Sequence, residues 1–193
     1  MSRSPNISYE SLVLKARPFF WLRGYHSVTP EELAQHLGVS LSFLYKKFDK
    51  SMLFISVLES YIETYTNPIL LEVKNSEKGL ETFRELFYNI ADAFIDKTFP
   101  RSCMLVNSII EMHDTHDKHK VIDLYSRYLE NMKDSFTAVL EKAYKLGEIQ
   151  NGSKIEQYAD FLTSIVFELT VLYKCRSKEE LYQYIDQQLS FIR

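Results

Sequence analysis

Within Thr29–Lys50, TPEELAQHLGVSLSFLYKKFDK, hydroxyl and ammonium groups recur at spacings that would ring one short helix. Leu44 and Phe48 share an apolar face there, and Ser42, Tyr45, Lys46 and Lys47 spread over the others. Hydroxyl and ammonium donors on a short helix are the groups that meet phosphate oxygens and base edges in a duplex groove. Two other groupings could do chemistry. His113, His116 and His119 stand three apart among Glu111, Asp114 and Asp117, and histidine with carboxylates can hold zinc. That stretch lies between apolar segments, reads as a hydrated connection and lacks a closing ligand, so no metal is assigned to it. Cys103, beside Arg101 and near a helix start, has the setting of a redox or electrophile sensor; a buried, inert thiol is the alternative. No P-loop, dinucleotide glycine fingerprint or nucleophile elbow is present, so nothing supports an enzyme and no cofactor is implied.

The elements that must position the first group are written in local signals. Thr29 can cap a helix, Pro30 suits its first turn, and Glu32 stands three residues on, as a capping box requires. Leu33, Ala34 and Leu37 recur at helical spacing, and Gly38 ends that helix in a sharp turn. Ser40 can cap the next helix, and Asp49 a third that begins near Ser51. Two short helices joined by a tight glycine turn are a helix-turn-helix arrangement.

The remainder is helical throughout, which places the chain in the all-α class. Five Gly and five Pro among 193 residues leave long stretches without breakers. Helices are expected from Ser51 to about Thr66, running on past Pro68 with a kink, and over Lys78–Thr98, Ser102–Met112, Val121–Leu146, Lys154–Cys175 and Lys178–Ile192. In the fourth of these Ile122, Tyr125, Leu129, Met132, Phe136, Leu140 and Ala143 are read as the inward stripe. Lys154–Cys175 is apolar on several faces, which fits either a subunit interface or the central helix of a monomer. Two domains are expected, a helix-turn-helix head over 1–50 and a larger body over 51–193.

Charge follows the same division. Residues 1–50 hold seven Lys/Arg and four Asp/Glu, net +3; residues 51–193 hold sixteen and twenty-two, net −6. A mildly basic head on an acidic body concentrates attraction for phosphate at the motif. No run is long enough to cross a bilayer, and Met1–Ser11 lacks the apolar centre of a signal peptide, so the expected location is the cytoplasm. Cys103 and Cys175 are read as free thiols.

From about Ala16 to Glu59 the residues resemble the tetracycline-repressor-like (TetR) transcriptional regulators. The resemblance is carried by Phe20, Arg23-Gly24-Tyr25, Thr29, Leu33-Ala34, Gly38-Val39-Ser40, Leu44-Tyr45, Phe48 and Lys50. Pro18 departs from it, falling where the first helix should be in mid-course. The resemblance implies a recognition helix opening at Ser40. Leu41, Ser42 and Phe43 would meet base edges, with Phe43 equally readable as core, and Thr29, Tyr45, Lys46, Lys47 and Lys50 would hold phosphate. It also implies a homodimer through helices 154–175 and 178–192, bound to double-stranded DNA, and a body that takes a small-molecule effector. Candidate effector contacts are Tyr61, Tyr65, Phe83, Phe87, Cys103, Asn107, Tyr125 and Tyr128. Around Cys103 the family usually has glycine where this chain has Ser102. The implied function is a ligand-responsive repressor. Two other readings stay open: a helical interaction dimer with a degenerate head, and an all-helical enzyme.

Overall fold

A computed structural model describes residues 8–100, 102–112 and 115–192. The elements are α1 (Tyr9–Arg23), α2 (Pro30–Leu37), α3 (Leu41–Lys47), α4 (Lys50–Tyr61), a π-helical turn (Ile62–Thr66), α5 (Asn67–Asn75), α6 (Glu81–Ile95), α7 (Met104–Glu111), α8 (Lys118–Lys145), a 3-10 turn (Gly152–Lys154), α9 (Ile155–Leu172) and α10 (Lys178–Leu189). Among the described residues no β-strand forms; the single bridge is Pro100 to Ser102.

The head is α1 to α3, closed by the start of α4. Thr29 and Glu32 complete the capping box: the Glu32 N–H donates to Thr29 Oγ1 at 3.2 Å, and the Thr29 N–H to Glu32 Oε2 at 3.0 Å. Gly38 sits at φ 73°, in the left-handed region a side chain resists, and its N–H returns to the Ala34 and Gln35 carbonyls. Leu12, Ala16, Phe20, Val28, Leu33, Leu37 and Leu44 are buried around this turn. The Phe20 ring meets Phe54 of α4 edge-on at 5.0 Å, which pins the head to the helix that leaves it. Pro18 does not break α1. It lies on the exposed side, where water can take the carbonyl that loses its helical donor.

The body is built on α8, which packs against α9, α5, α7 and α4, while α6 packs against α10, α9 and α5. Its centre is Phe83, Phe87 and Phe136, with the Phe83 and Phe136 rings edge to face at 5.2 Å. Each such ring contributes on the order of 1.5–3 kcal/mol by leaving water. The helical path of α4 runs on past Pro68 as α5, and the irregularity between them takes the form of the π turn. There the Asn67 N–H reaches back to the Ile62 carbonyl. Pro68 supplies no N–H to this ladder, and the widened turn carries the helix through it.

The inward stripe expected for α8 holds in its second half, where Met132, Phe136, Leu140 and Ala143 are buried, and shifts in the first. In the first half of α8 the buried residues are Val121, Leu124 and Tyr128, whereas Ile122 is exposed and Tyr125 and Leu129 are half-buried. Both sets repeat at helical spacing, and only the positions of α4, α7 and α9 decide which one is covered.

Candidate nucleic-acid interface and body cavity

The face of α3 follows from two anchors. Ser40 Oγ accepts the Phe43 N–H at 3.2 Å and fixes the first turn. Leu44, 2 % exposed, fastens the middle of the helix to the head core. Ser42, Tyr45, Lys46 and Lys47 are then exposed together, Tyr45 at 64 %. Leu41 and Phe43 are half-buried. Phe43 leans on Phe48 at 6.2 Å, so it is neither sealed in the core nor fully presented. Phe48, expected in the core, is half-buried too, and stacks at 4.9 Å on Tyr9, a contact the motif does not signal. Ser40 Oγ also lies 3.3 Å from Ser42 Oγ. Thr29 is exposed, but its side-chain oxygen already accepts the Glu32 N–H.

Lys50 stands apart from the other lysines. It is half-buried, with Nζ 4.2 Å from the centroid of the Tyr25 ring. Burial lowers its pKa, opposed by the charges of Glu111 and Glu32. Its ammonium is therefore partly committed to the head's own structure.

Besides the bonds of Tyr9 to Ser56 and of Arg17 to Ser60 and Thr64, contacts of longer range tie the head and the start of α4 to the rest of the body. The Trp21 indole N–H donates to the Ser102 carbonyl at 2.8 Å. At the far end of α7, Glu111 accepts the Tyr25 N–H at 2.6 Å through Oε2, and the His26 ring nitrogen donates to its carbonyl at 2.6 Å. Ser51 Oγ donates to the Asp117 carboxylate. These partners are 66 to 86 residues apart in sequence, and no local pattern announces them. The bond between Ser51 and Asp117 and the ion pair of Asp117 with Lys120 occupy a carboxylate of the histidine-rich stretch. His113 and Asp114 of that stretch lie outside the described residues, as does Arg101.

The body contains a two-part cavity. The outer part, about 680 Å³, opens between α5 and α6. A narrow inner part of about 70 Å³ continues from it along Ile69, Leu86, Ile90 and Phe99 toward Tyr61, Cys103 and Tyr128. The other expected contacts lie elsewhere. Phe83 and Phe87 are fully buried against Phe136, because a one-sided aromatic stripe on α6 is what a core needs. Tyr125 packs beside Phe167 at 6.2 Å. Asn107, half-buried on α7, does not line the cavity. Tyr65 sits one layer behind, in a cluster with Trp21 at 5.2 Å and Phe99 at 5.7 Å.

Cys103 is 4 % exposed, and burial pushes its thiol up, only partly offset by hydrogen bonds that include the Tyr61 hydroxyl at 3.8 Å. Of the two readings of Cys103, its burial and the upward direction of its pKa favour the buried, inert thiol over the sensor. Burial likewise raises the phenols of Tyr61 and Tyr128 well above their ordinary value. The site preceding the cysteine is unusual as well. Ser102 adopts φ 62°, the region glycine favours.

Residues 79–189 match the family described as tetracyclin repressor-like, C-terminal domain. The chain belongs to the TetR family of transcriptional regulators. Across the whole of both chains it is 27 % identical to the uncharacterized helix-turn-helix regulator YezE of Bacillus subtilis. It is 26 % identical to the helix-turn-helix transcriptional repressor ComR of Escherichia coli, over 81 % of this chain and 75 % of that one. Among solved structures, a triple cysteine mutant of the TetR family regulator CifR, complexed with a 26 bp double-strand operator, superposes with a TM-score of 0.82. That match has 21 % identity and covers 100 % of both chains. Reduced NemR of E. coli superposes with a TM-score of 0.77 at 16 % identity, over 96 % of this chain and 97 % of that one. These likenesses establish the family's all-α fold along the length of the chain. Among the described residues of this TetR-family regulator, no helix is long and apolar enough to cross a membrane.

Proposed function

We propose that this TetR-family chain is a dimeric repressor that binds a palindromic operator through 1–50 and releases it when a small molecule enters the body formed by 51–193. The observation that carries the reading is the α3 face. Leu44 is locked inward while Ser42, Tyr45, Lys46 and Lys47 project together. In this reading Ser42 and the exposed edges of Leu41 and Phe43 meet bases, and Tyr45, Lys46 and Lys47 hold phosphate. Thr29 and Ser40 assist at the helix starts. Lys50, turned toward Tyr25, makes the weakest of the phosphate contacts. The relatives are named as regulators, in keeping with a role in the cytoplasm that involves no catalysis.

The dimer is proposed to form through α9 and α10. Val171 and Phe191 are 59 % and 62 % exposed there, and Phe161 and Phe167 are half-buried. A second copy related by a twofold axis would cover them and set two heads at half-sites one or more turns apart.

Release would use the contacts between head and body. Tyr61 ends α4 and lines the inner cavity, and Trp21 of α1 bonds to the residue before Cys103. A ligand that wedges this wall favours a different head position by its differential affinity for the two arrangements.

Selection of bound duplexes from a random library tests the reading. A palindrome with two half-sites is expected, with affinity that falls steeply with salt. Recovery of no preferred sequence, together with salt-independent retention, would overturn it in favour of a helical interaction dimer.

A further inference from the structure

The two parts of the cavity differ in chemistry. The mouth carries Glu72, Glu77 and Glu85 against a single lysine, Lys78. Lys78 Nζ donates to both oxygens of Glu85 at 2.7 Å, so its charge is already matched. Lys142 lies 2.7 Å from Glu77 and matches that carboxylate. Glu72 is exposed and forms no ion pair among the described residues. The mouth is therefore net negative. Farther in, no charged side chain lines the space among the described residues; the walls are apolar, with phenols, a threonine and a thiol.

This pairing selects among ligand classes. A carboxylate or phosphate would be repelled at the mouth and would find no cation inside to repay its lost hydration. A neutral lipophile would use the walls and gain nothing from the rim. An organic cation with a hydrocarbon body uses both parts.

Resting on the reading of the body as an effector domain, we infer that the effector is a lipophilic amine or related organic cation. Its apolar end enters between α5 and α6 toward Phe94 and Phe99, and its positive group stays at Glu72. Phe99 is the hinge of this arrangement. It lines both parts of the cavity, and its ring lies 5.0 Å from Trp21. Trp21 is the only tryptophan in the chain, so its fluorescence reports changes transmitted through Phe99.

The test uses three probes on one carbon frame: 4-phenylbutylamine, 4-phenylbutanol and 4-phenylbutyrate, titrated into the full-length protein. Trp21 emission and calorimetry are read in parallel, so that a silent indole is not mistaken for an empty cavity. The amine should bind about tenfold more tightly than the butyrate, with the alcohol between, and the gap should close as salt rises. Glu72→Gln should weaken the amine about threefold and leave the alcohol unchanged. Glu85→Gln, which sets Lys78 free, should narrow the gap between amine and butyrate further. Both positions are exposed, so the variants fold. Equal binding of amine and butyrate, or amine binding indifferent to both variants, overturns the inference, as does the absence of heat with all three probes. Selective amine binding that fails to release the selected duplex would leave the cavity's preference for amines standing and sink both the effector assignment and the ligand-response reading.

Discussion

In α3, Leu44 is buried and Tyr45, the next residue, is exposed; the head keeps its core inside and its candidate chemistry on the surface. In the body the relation is inverted. Tyr61, Cys103 and Tyr128 are buried around a narrow space. In the head, burial of Leu44 with its core neighbours fixes which face of α3 is turned outward. The body leaves packing incomplete where a ligand can complete it. Between them run Trp21 to Ser102 and Tyr25 to Glu111, which join α1 and the turn after it to the two ends of the α7 segment.

Core deletions should separate the two regions most sharply. Phe136→Ala removes the ring that both Phe83 and Phe87 meet, and should cost about 3–5 kcal/mol in urea unfolding. Leu44→Ala should cost about 2–4 kcal/mol and abolish operator binding while the cavity still takes ligand. If Leu44→Ala left DNA affinity intact, the view that Leu44 fixes the outward face of α3 would fail.

The join between the regions is tested by Trp21→Phe. It removes the indole donor from the buried Ser102 carbonyl and should cost about 1–3 kcal/mol. It should also weaken the coupling between ligand and DNA, measured as the shift in operator affinity at saturating effector. Loss of stability with unchanged coupling would place the route elsewhere.

Ser102→Gly should act in the opposite direction. Relief of the φ 62° strain outweighs the long 3.4 Å bond from Ser102 Oγ to the Thr170 carbonyl, for a net gain of up to about 1 kcal/mol. A lowered melting temperature would show that the hydroxyl matters more than the backbone.

Alkylation sharpens the contrast in exposure without altering the chain. Iodoacetamide at neutral pH should label exposed Cys175 and spare buried Cys103, read by peptide mass spectrometry. Preferential labelling of Cys103 would reopen the sensor reading.

The smallest effect is a pH dependence confined to the head. The Thr29 backbone N–H and the Arg23 guanidinium hold the Glu32 carboxyl below its ordinary value. A depressed carboxylate pKa stabilises the fold above the unfolded value, and that contribution disappears as pH falls through the folded one. The protection factors of amides at the start of α2, corrected for the intrinsic pH dependence of exchange, should therefore fall on acidification, and Glu32→Gln should flatten the change. Because Glu32 is solvent-exposed, the effect should remain local.

The head was largely legible in the sequence because its determinants act over a few residues. Thr29, Glu32, Gly38 and Ser40 do in the structure what their spacing predicts, and α-helical content follows from runs free of breakers. The cavity was legible only in part. Aromatic abundance pointed equally to Phe83 and Phe87, which are core, and to Tyr61 and Tyr128, which line space. Glu72 and Glu85 carried no signal at all, since one solvent-facing glutamate reads like any other.

What the sequence determined by itself is local: where helices start and stop, which side of α3 faces in, and where positive charge gathers. Tertiary structure alone decided which stripe of α8 is buried, that Phe43 and Phe48 sit half in the core, and that Lys50 turns toward Tyr25. It also brought Glu111 to Tyr25 across 86 residues, and set an acidic mouth over an apolar chamber. Caps and turns are settled by hydrogen bonds within one helical turn, whereas a cavity is the space left when distant helices fail to meet, and no single stretch of chain encodes that.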